Sequence, residues 1–272
     1  MRRCLYIFAL LCLTIALPAC SSEEGETVVS DQTGEGEAVD SIETALPEEP
    51  PTEVWGGSTS YLRSSDETPL AVEWLQVEGA EPRGTVILIH MLGRSRGDWQ
   101  PLVQPLIENG FYVVGIDLRG HGQSALQGSY TDFTPDDWMA ARGDVHAAVD
   151  FAIPDKPDPY FVCGASIGAN LTFLDLAEDN RPSGVILLSP GDDYRGVKPS
   201  EGLEAYGDRP ALLVAAEDDE FSAQTVRDMA AELPNARFEI YPDGGHGTRL
   251  LTSRPELQGL IIDWLVQQVA EK

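Results

Sequence analysis

A serine flanked by glycines two residues away on either side, Gly164-Ala165-Ser166-Ile167-Gly168, is the first place in this 272-residue chain where chemistry suggests itself. Short glycine motifs recur by chance, so context decides. Here an apolar strand-like run, 160–163, precedes the pentapeptide and an apolar helical run, 166–178, follows it. A serine on a sharp turn between strand and helix projects its oxygen clear of the backbone, and its neighbours must be slim for the turn to close. Gly164 and Gly168 meet that need, and Ala165 and Ala169 keep the junction narrow. A serine hydroxyl is a weak nucleophile at neutral pH and needs a base within hydrogen-bond reach, itself oriented by an acid. Of the four histidines, His246 suits the base: Gly244, Gly245 and Gly247 around it leave the ring free to face a partner. His90 ends a strand and is expected to bond the loop after it. His121 sits in a Gly-His-Gly turn and should brace loops, and His146 lies within a helical run. Ile167, directly after the serine at a helix N-terminus, offers a backbone N–H to an oxyanion.

The elements needed to position these residues are legible from about Trp55 onward. Segments 58–63 and 70–77 alternate and read as an antiparallel start. Short apolar runs at 85–89, 111–116, 160–163, 184–188 and 211–215 read as buried strands, and 237–241 reads as a further strand. Helical runs at 99–109, 134–151, 166–178, 222–233 and 255–269 lie between and after them. Such alternation indicates a mostly parallel sheet covered on both faces, an α/β architecture. Between the strand ending near Ser189 and the next lies only 190–210, a small loop in which Tyr194 and Leu203 are placed as lining of an open site.

With these landmarks on the page, residues 55–272 resemble the α/β-hydrolase family. His90-Met91-Leu92-Gly93 follows a strand where that family carries its His-Gly oxyanion loop. Asp117-Leu118-Arg119-Gly120-His121-Gly122-Gln123-Ser124 is similar to the family's D-x-R-G-H-G-x-S turn. Ala216-Glu217-Asp218-Asp219 stands at the place of its G-x-x-D acid motif, and His246 follows the last strand. The order Ser, Asp, His is the one this fold uses. The resemblance implies an α/β-hydrolase fold without a large cap domain. It also implies a catalytic set of Ser166, Asp219 and His246, with Asp218 as the neighbouring alternative to Asp219. Leu92 and Ile167 would supply the oxyanion amides. Met91 stands where the family has glycine, and a Cβ there is expected to restrict the turn. Arg94 and Arg96 balance nearby acids such as Asp98, the alternative being a substrate carboxylate. The activity implied is cleavage of carboxylic esters through an acyl-enzyme, with a small-molecule ester or amide as substrate. A peptidase of the prolyl-oligopeptidase or proline-iminopeptidase kind, or a non-catalytic binding lipoprotein that keeps the fold, are the alternatives. No metal-ligand cluster or phosphate-cradling loop is read from the sequence, so no cofactor is expected.

Composition narrows the partners. Forty-five acidic residues against 18 Lys and Arg give a formal charge of −27. No basic stripe exists to neutralise phosphates, which excludes nucleic acid. The N-terminus reads as a targeting segment: Met1-Arg2-Arg3, an apolar run 5–17, then Leu17-Pro18-Ala19-Cys20, which resembles a bacterial lipobox with Cys20 as the lipidated residue. Residues 1–19 are then a signal peptide. Residues 20–54, with 11 acids and no Lys or Arg, form an acidic disordered tether. Ser21 after the cysteine favours the outer membrane of a Gram-negative envelope. Cys163 is the one cysteine left in the folded part, so the domain is held by its core rather than by disulfides.

Overall fold

The structure, a computed structural model, describes Trp55 and residues 59–76, 81–156 and 158–271. The expected signal peptide, the expected lipidation site Cys20 and the expected tether lie outside these residues, as do Ser58 and Val77 of the first two expected strands.

Eight strands form one sheet: β1 Ser60–Arg63, β2 Pro69–Leu75, β3 Gly84–Ile89, β4 Phe111–Ile116, β5 Tyr160–Ala165, β6 Gly184–Leu188, β7 Ala211–Ala216 and β8 Ala236–Tyr241. Their order across the sheet is β1-β2-β4-β3-β5-β6-β7-β8. β1 and β2 pair antiparallel, as do β2 and β4, and every later pair is parallel. The helices are α1 Gln100–Glu108, α2 Pro135–Ala140, α3 Arg142–Ala152, α4 Ile167–Glu178, α5 Leu203–Tyr206, α6 Glu220–Glu232, α7 Leu250–Ser253 and α8 Glu256–Ala270.

Strand side chains alternate between two cores, as the pleat requires. Ile87, Ile89, Val114, Val162, Val185, Leu187, Leu213 and Ala215 face α2, α3, α4, α5 and α6. Val86, Leu88, Val113, Phe161, Cys163, Ile186, Leu212 and Val214 face α1, α7 and α8. With both faces covered, the central strands have no polar face, which is why they read as unbroken apolar runs.

One helical expectation is corrected. The run 134–151 is two helices, α2 and α3, parted at Ala141. Thr134 and Asp137 close a capping box that starts α2 firmly. Gly143, a poor helix former, follows the break. Between β6 and β7 the described residues hold a bridge between Tyr194 and Val197, a 3₁₀ turn at Pro199–Gly202 and the single turn of α5. No cap domain is inserted there.

Candidate active site

Ser166 stands between β5 and α4 with φ 54° and ψ −124°, a conformation that costs about 1–3 kcal/mol in a residue with a side chain. Its N–H donates to Leu188 O at 2.9 Å, which ties the strained turn to β6. The glycines around it are obligatory. A Cβ on Gly164 would lie 2.4 Å from Gly168 O, and one on Gly168 would lie 2.4 Å from His90 O and 2.7 Å from Ile89 O. The Ser166 side chain makes no capping bond to α4. Its Oγ lies 2.7 Å from His246 Nε2, and His246 Nδ1 lies 2.7 Å from Asp219 Oδ2.

Hydrogen bonding sets the tautomer. An ionised carboxylate only accepts, so Nδ1 carries the proton and donates to Asp219, leaving Nε2 to accept from the Ser166 hydroxyl. Burial works against charge on Asp219, but the hydrogen bond and charge of His246, with bonds from Ser222 and Ser189, outweigh it and hold the carboxyl below the usual carboxylate range. Asp218 does different work: its carboxylate accepts from Gly244 N at 3.1 Å and from Gly245 N at 3.1 and 3.2 Å. One acid thus faces the imidazole while its neighbour pins the turn that carries it.

Ser189 and Ser222 were not singled out from sequence. Ser189 ends β6 with φ 49° and accepts from Gly247 N at 2.8 Å. Ser222 lies in the first turn of α6 and is fully buried. A serine at a strand end or helix start is common, so composition offers no signal; the signal is their convergence on one carboxylate.

The 90–93 loop, expected to supply an oxyanion amide, is wedged between the serine turn and the histidine turn. Ile167 is the first residue of α4, so its N–H has no acceptor within the helix. Leu92 follows Met91 in a turn closed by Arg94 N–H to Met91 O at 3.3 Å. The expectation that a Cβ at Met91 restricts this turn is not met. Met91 is not among the residues with positive φ, so the position makes no demand for glycine. Its buried side chain instead supports the histidine turn: a Cβ on Gly247 would lie 2.7 Å from Met91 Sδ. Thr248 Oγ1 lies 3.3 Å from the same sulfur and donates to Asp98 Oδ2 at 3.0 Å. Arg94 Nε in turn donates to both Asp98 oxygens, at 2.9 and 2.8 Å.

The remaining histidines and the Asp117–Ser124 turn are scaffolding. His90 Nε2 accepts from Leu118 N at 2.9 Å, so Nδ1 is the donor to Met91 O at 2.8 Å. Burial holds its pKa down and the ring neutral. His121 is stacked on Tyr130 at 4.2 Å, and burial brings its pKa down to about 3. Asp117 accepts from Arg96 N, Arg96 Nη1 and Gln123 N at 2.8, 2.5 and 2.8 Å. Ser124 Oγ donates to Asp117 O at 2.6 Å and accepts from Ala71 N at 2.8 Å, joining β2 to the turn. Arg94 and Arg96 are thus both engaged with acids of the chain itself.

Tyr194 does reach the site, with its ring edge-on to His246 at 6.0 Å between centroids. Leu203 does not: it lines a cleft of about 320 Å³ with Asp192, Pro199, Thr225 and Met229, and none of Ser166, Asp219 or His246 is on its wall. The sequence also did not disclose that His146, Asp175 and Asp179 offer ligand atoms within 4.8 Å of one another, a grouping with the composition of a cation site. Arg181 already fills the role of cation there, with Nε 2.9 Å from both Asp179 oxygens. Asp175 is nine residues along α4 from Ser166, about 14 Å at the helical rise, so the grouping is separate from the serine.

The order β1-β2-β4-β3-β5-β6-β7-β8, a strained serine after β5, an acid after β7 and a histidine after β8 decide the fold. The chain has the α/β-hydrolase fold. Comparison with known proteins agrees. Residues 80–206 match the family model described as serine aminopeptidase, S33. An uncharacterised abhydrolase domain-containing protein of Dictyostelium discoideum is 28% identical over 166 residues, which is 58% of this chain and 17% of that protein. A proline iminopeptidase of Lactobacillus delbrueckii subsp. lactis is 30% identical over 115 residues, 42% of this chain and 36% of the relative. The chain therefore matches well under half the length of these curated relatives. An esterase of Pyrococcus furiosus superposes with a TM-score of 0.64 at 20% identity, covering 78% of this chain and 91% of its own. That likeness shows the fold.

Proposed function

We propose that this α/β-hydrolase cleaves carboxylic esters through a covalent acyl-enzyme. The observation that carries the reading is the unbroken chain Asp219–His246–Ser166, with 2.7 Å at each link. His246 Nε2 takes the hydroxyl proton as Ser166 Oγ bonds to the ester carbonyl carbon. The carbonyl oxygen becomes an oxyanion held by the Ile167 and Leu92 amides. His246 then gives its proton to the leaving alkoxide as the ester C–O bond breaks, and the acyl group stays on Ser166. A water deprotonated by the same nitrogen attacks the acyl carbon. Collapse expels Ser166 Oγ, which recovers the proton, and the carboxylic acid leaves.

The esterase with the matching fold supports an ester substrate. The serine aminopeptidase model and the partial match to a proline iminopeptidase favour a second reading, hydrolysis of an N-terminal aminoacyl amide through the same three residues. We further propose that the protein is tethered to a bacterial envelope membrane through a lipid on Cys20; the support is the Leu17-Pro18-Ala19-Cys20 sequence after an apolar run.

A fluorophosphonate probe tests the catalytic reading. Labelling of the wild type that disappears in Ser166→Ala and in His246→Ala supports it. Equal labelling of Ser166→Ala refutes the nucleophile, and no labelling of folded wild type returns the chain to a binding role. A panel of short esters and aminoacyl amides then separates esterase from peptidase. Metabolic labelling with a palmitate analogue, compared with Cys20→Ser, tests the anchor.

A further inference from the structure

Helix α3 and the end of α4 bring one histidine and two carboxylates together. Asp175 lies in the last turn of α4 and Asp179 at its C-terminal cap, four residues apart and so on one face. His146 reaches them from α3. Its Nδ1 lies 3.5 Å from Asp175 Oδ2 and 3.7 Å from Asp179 Oδ2. Zinc holds nitrogen at about 2.0–2.1 Å and carboxylate oxygen at about 2.0–2.2 Å, so neighbouring ligands of a tetrahedral zinc stand roughly 3.3–3.5 Å apart. The three side chains already stand close to that spacing.

Asp175 is 7% exposed, and its Oδ2 is buried and accepts no hydrogen bond. A buried carboxylate in that position costs free energy unless a charge faces it. Burial pushes the carboxyl up to about 6, against the pull of His146 and Arg142. The cations nearby are spent elsewhere. Arg142 Nη2 lies 3.2 Å from Leu174 O and 3.1 Å from Glu178 Oε1. Arg181 donates through Nη2 to Asp179 Oδ2 at 2.5 Å and through Nη1 to Asp150 Oδ1 at 2.6 Å, and it leaves Asp175 Oδ2 without a bond. Asp179 has a further anchor, because its Oδ1 accepts from Arg181 N at 3.0 Å.

We propose that His146, Asp175 and Asp179 bind a divalent cation of the zinc class, which replaces the Arg181 guanidinium on Asp179 Oδ2. His146 Nδ1 and one oxygen of each carboxylate are the protein ligands, and water completes the shell. An imidazole that binds metal through Nδ1 carries its proton on Nε2. Here Nε2 faces Asp150 Oδ2 at 3.8 Å, which puts a carboxylate behind the metal-bound ring. Arg181 Nη2 lies 3.5 Å from the same Nε2 and can only donate, so guanidinium and metal select opposite tautomers and exclude each other. Arg181 is partly exposed and, once displaced, keeps its bond to Asp150. The ion ties α3 to the end of α4 far from Ser166.

The test is calorimetric titration of the chelator-stripped full chain with zinc chloride alone, beside His146→Gln, Asp175→Asn and Arg181→Ala. Wild type should bind one zinc that His146→Gln and Asp175→Asn each weaken by at least about tenfold. Arg181→Ala should tighten it by about tenfold, because a charge-assisted bond no longer has to break. At a hundredfold excess over Kd the melting temperature should rise by roughly 5 °C, and Asp175→Asn should abolish the rise. The cysteine thiols and the acidic N-terminal segment are the same in every variant, so they cannot produce these differences. His146 is half-exposed and Asp175→Asn conserves shape, so each variant serves if the other unfolds. Equal binding by wild type, His146→Gln and Asp175→Asn assigns the zinc to thiols or to the acidic surface at large and overturns the site, as does the absence of any zinc-dependent heat. Weaker binding in Arg181→Ala overturns the exchange with the guanidinium. None of these readouts depends on the hydrolase reading.

Discussion

Replacing Asp219 with Asn should cost about 10⁴-fold in kcat/KM with the fold retained. The reasoning starts from the donor that faces this carboxylate, His246 Nδ1 at 2.7 Å. Asn has one acceptor oxygen and one NH₂ group. If the NH₂ faces His246, it donates to Nδ1, the proton moves to Nε2, and Ser166 faces a donor where it needs a base. If the oxygen faces His246, the tautomer is kept but the carboxylate charge that stabilises the imidazolium is lost. The first arrangement removes general-base catalysis, and loss of the right tautomer is worth roughly 5 kcal/mol in serine hydrolases, or about 10⁴ in rate. Asp218→Asn makes the control. An Asn carbonyl can still accept from the Gly244 and Gly245 amides, so its effect should stay near that of one weakened hydrogen bond, about 1 kcal/mol or fivefold. The assay is initial-rate hydrolysis of a short aryl ester, with melting temperatures measured in parallel. Near wild-type rates in a folded Asp219→Asn, or a greater loss in Asp218→Asn, would refute the assignment of the acid.

Three other outcomes follow from the packing and the buried rings. Stability should fall as pH drops from 6.5 toward 4, because His121 titrates near 6.5 when unfolded and at about 3 when folded, so the unfolded chain binds the extra proton first. That amounts to about 2 kcal/mol at pH 5 from His121 alone, and His121→Phe should flatten the slope of melting temperature against pH over that window. Gly168→Ala should destabilise by about 1–3 kcal/mol and abolish fluorophosphonate labelling, since its Cβ would meet strand carbonyls at 2.4 and 2.7 Å. Gly245→Ala, with nothing within 4 Å of its Cβ, should cost only the roughly 1–2 kcal/mol of its positive φ; equal damage in both would disprove the steric account. Met91→Ala should lower stability by about 2–3 kcal/mol in chemical denaturation by emptying the space beneath Gly247. A neutral result there would show that the sulfur does not hold the histidine turn.

Much of this fold could be read from residue order because the sheet is covered on both sides. Runs such as Val86 to Ile89 and Ala211 to Ala215 are apolar at every position, and the helices around them turn apolar residues to the sheet. Ser166 and His246 were legible because their glycines have no other use. Leu203 was misplaced because distance along the chain from Ser189 says nothing about which side of the 190–210 segment faces the triad. The break at Ala141 was hidden because Ala141 itself retains helical angles, φ −66° and ψ −11°. Met91 looked like a departure from a rule about glycine, whereas the turn has no left-handed angle to satisfy there. The contact between the Tyr194 and Ser222 hydroxyls was invisible because the two residues stand 28 positions apart, one before β7 and the other after it.

The contact of Gly168 with the carbonyls of Ile89 and His90 has an evolutionary side. It rivets the helix that follows Ser166 to the strand that feeds the 90–93 loop, so those two parts can move only as one piece. Novelty in substrate choice must then come from elsewhere. The 190–210 connection takes no part in that rivet; it is tied to α4 through Asn170 and Arg209 and to α6 through Tyr194 and Ser222, so a substitution there can alter the surroundings of Ser166 without disturbing the Gly168 contact.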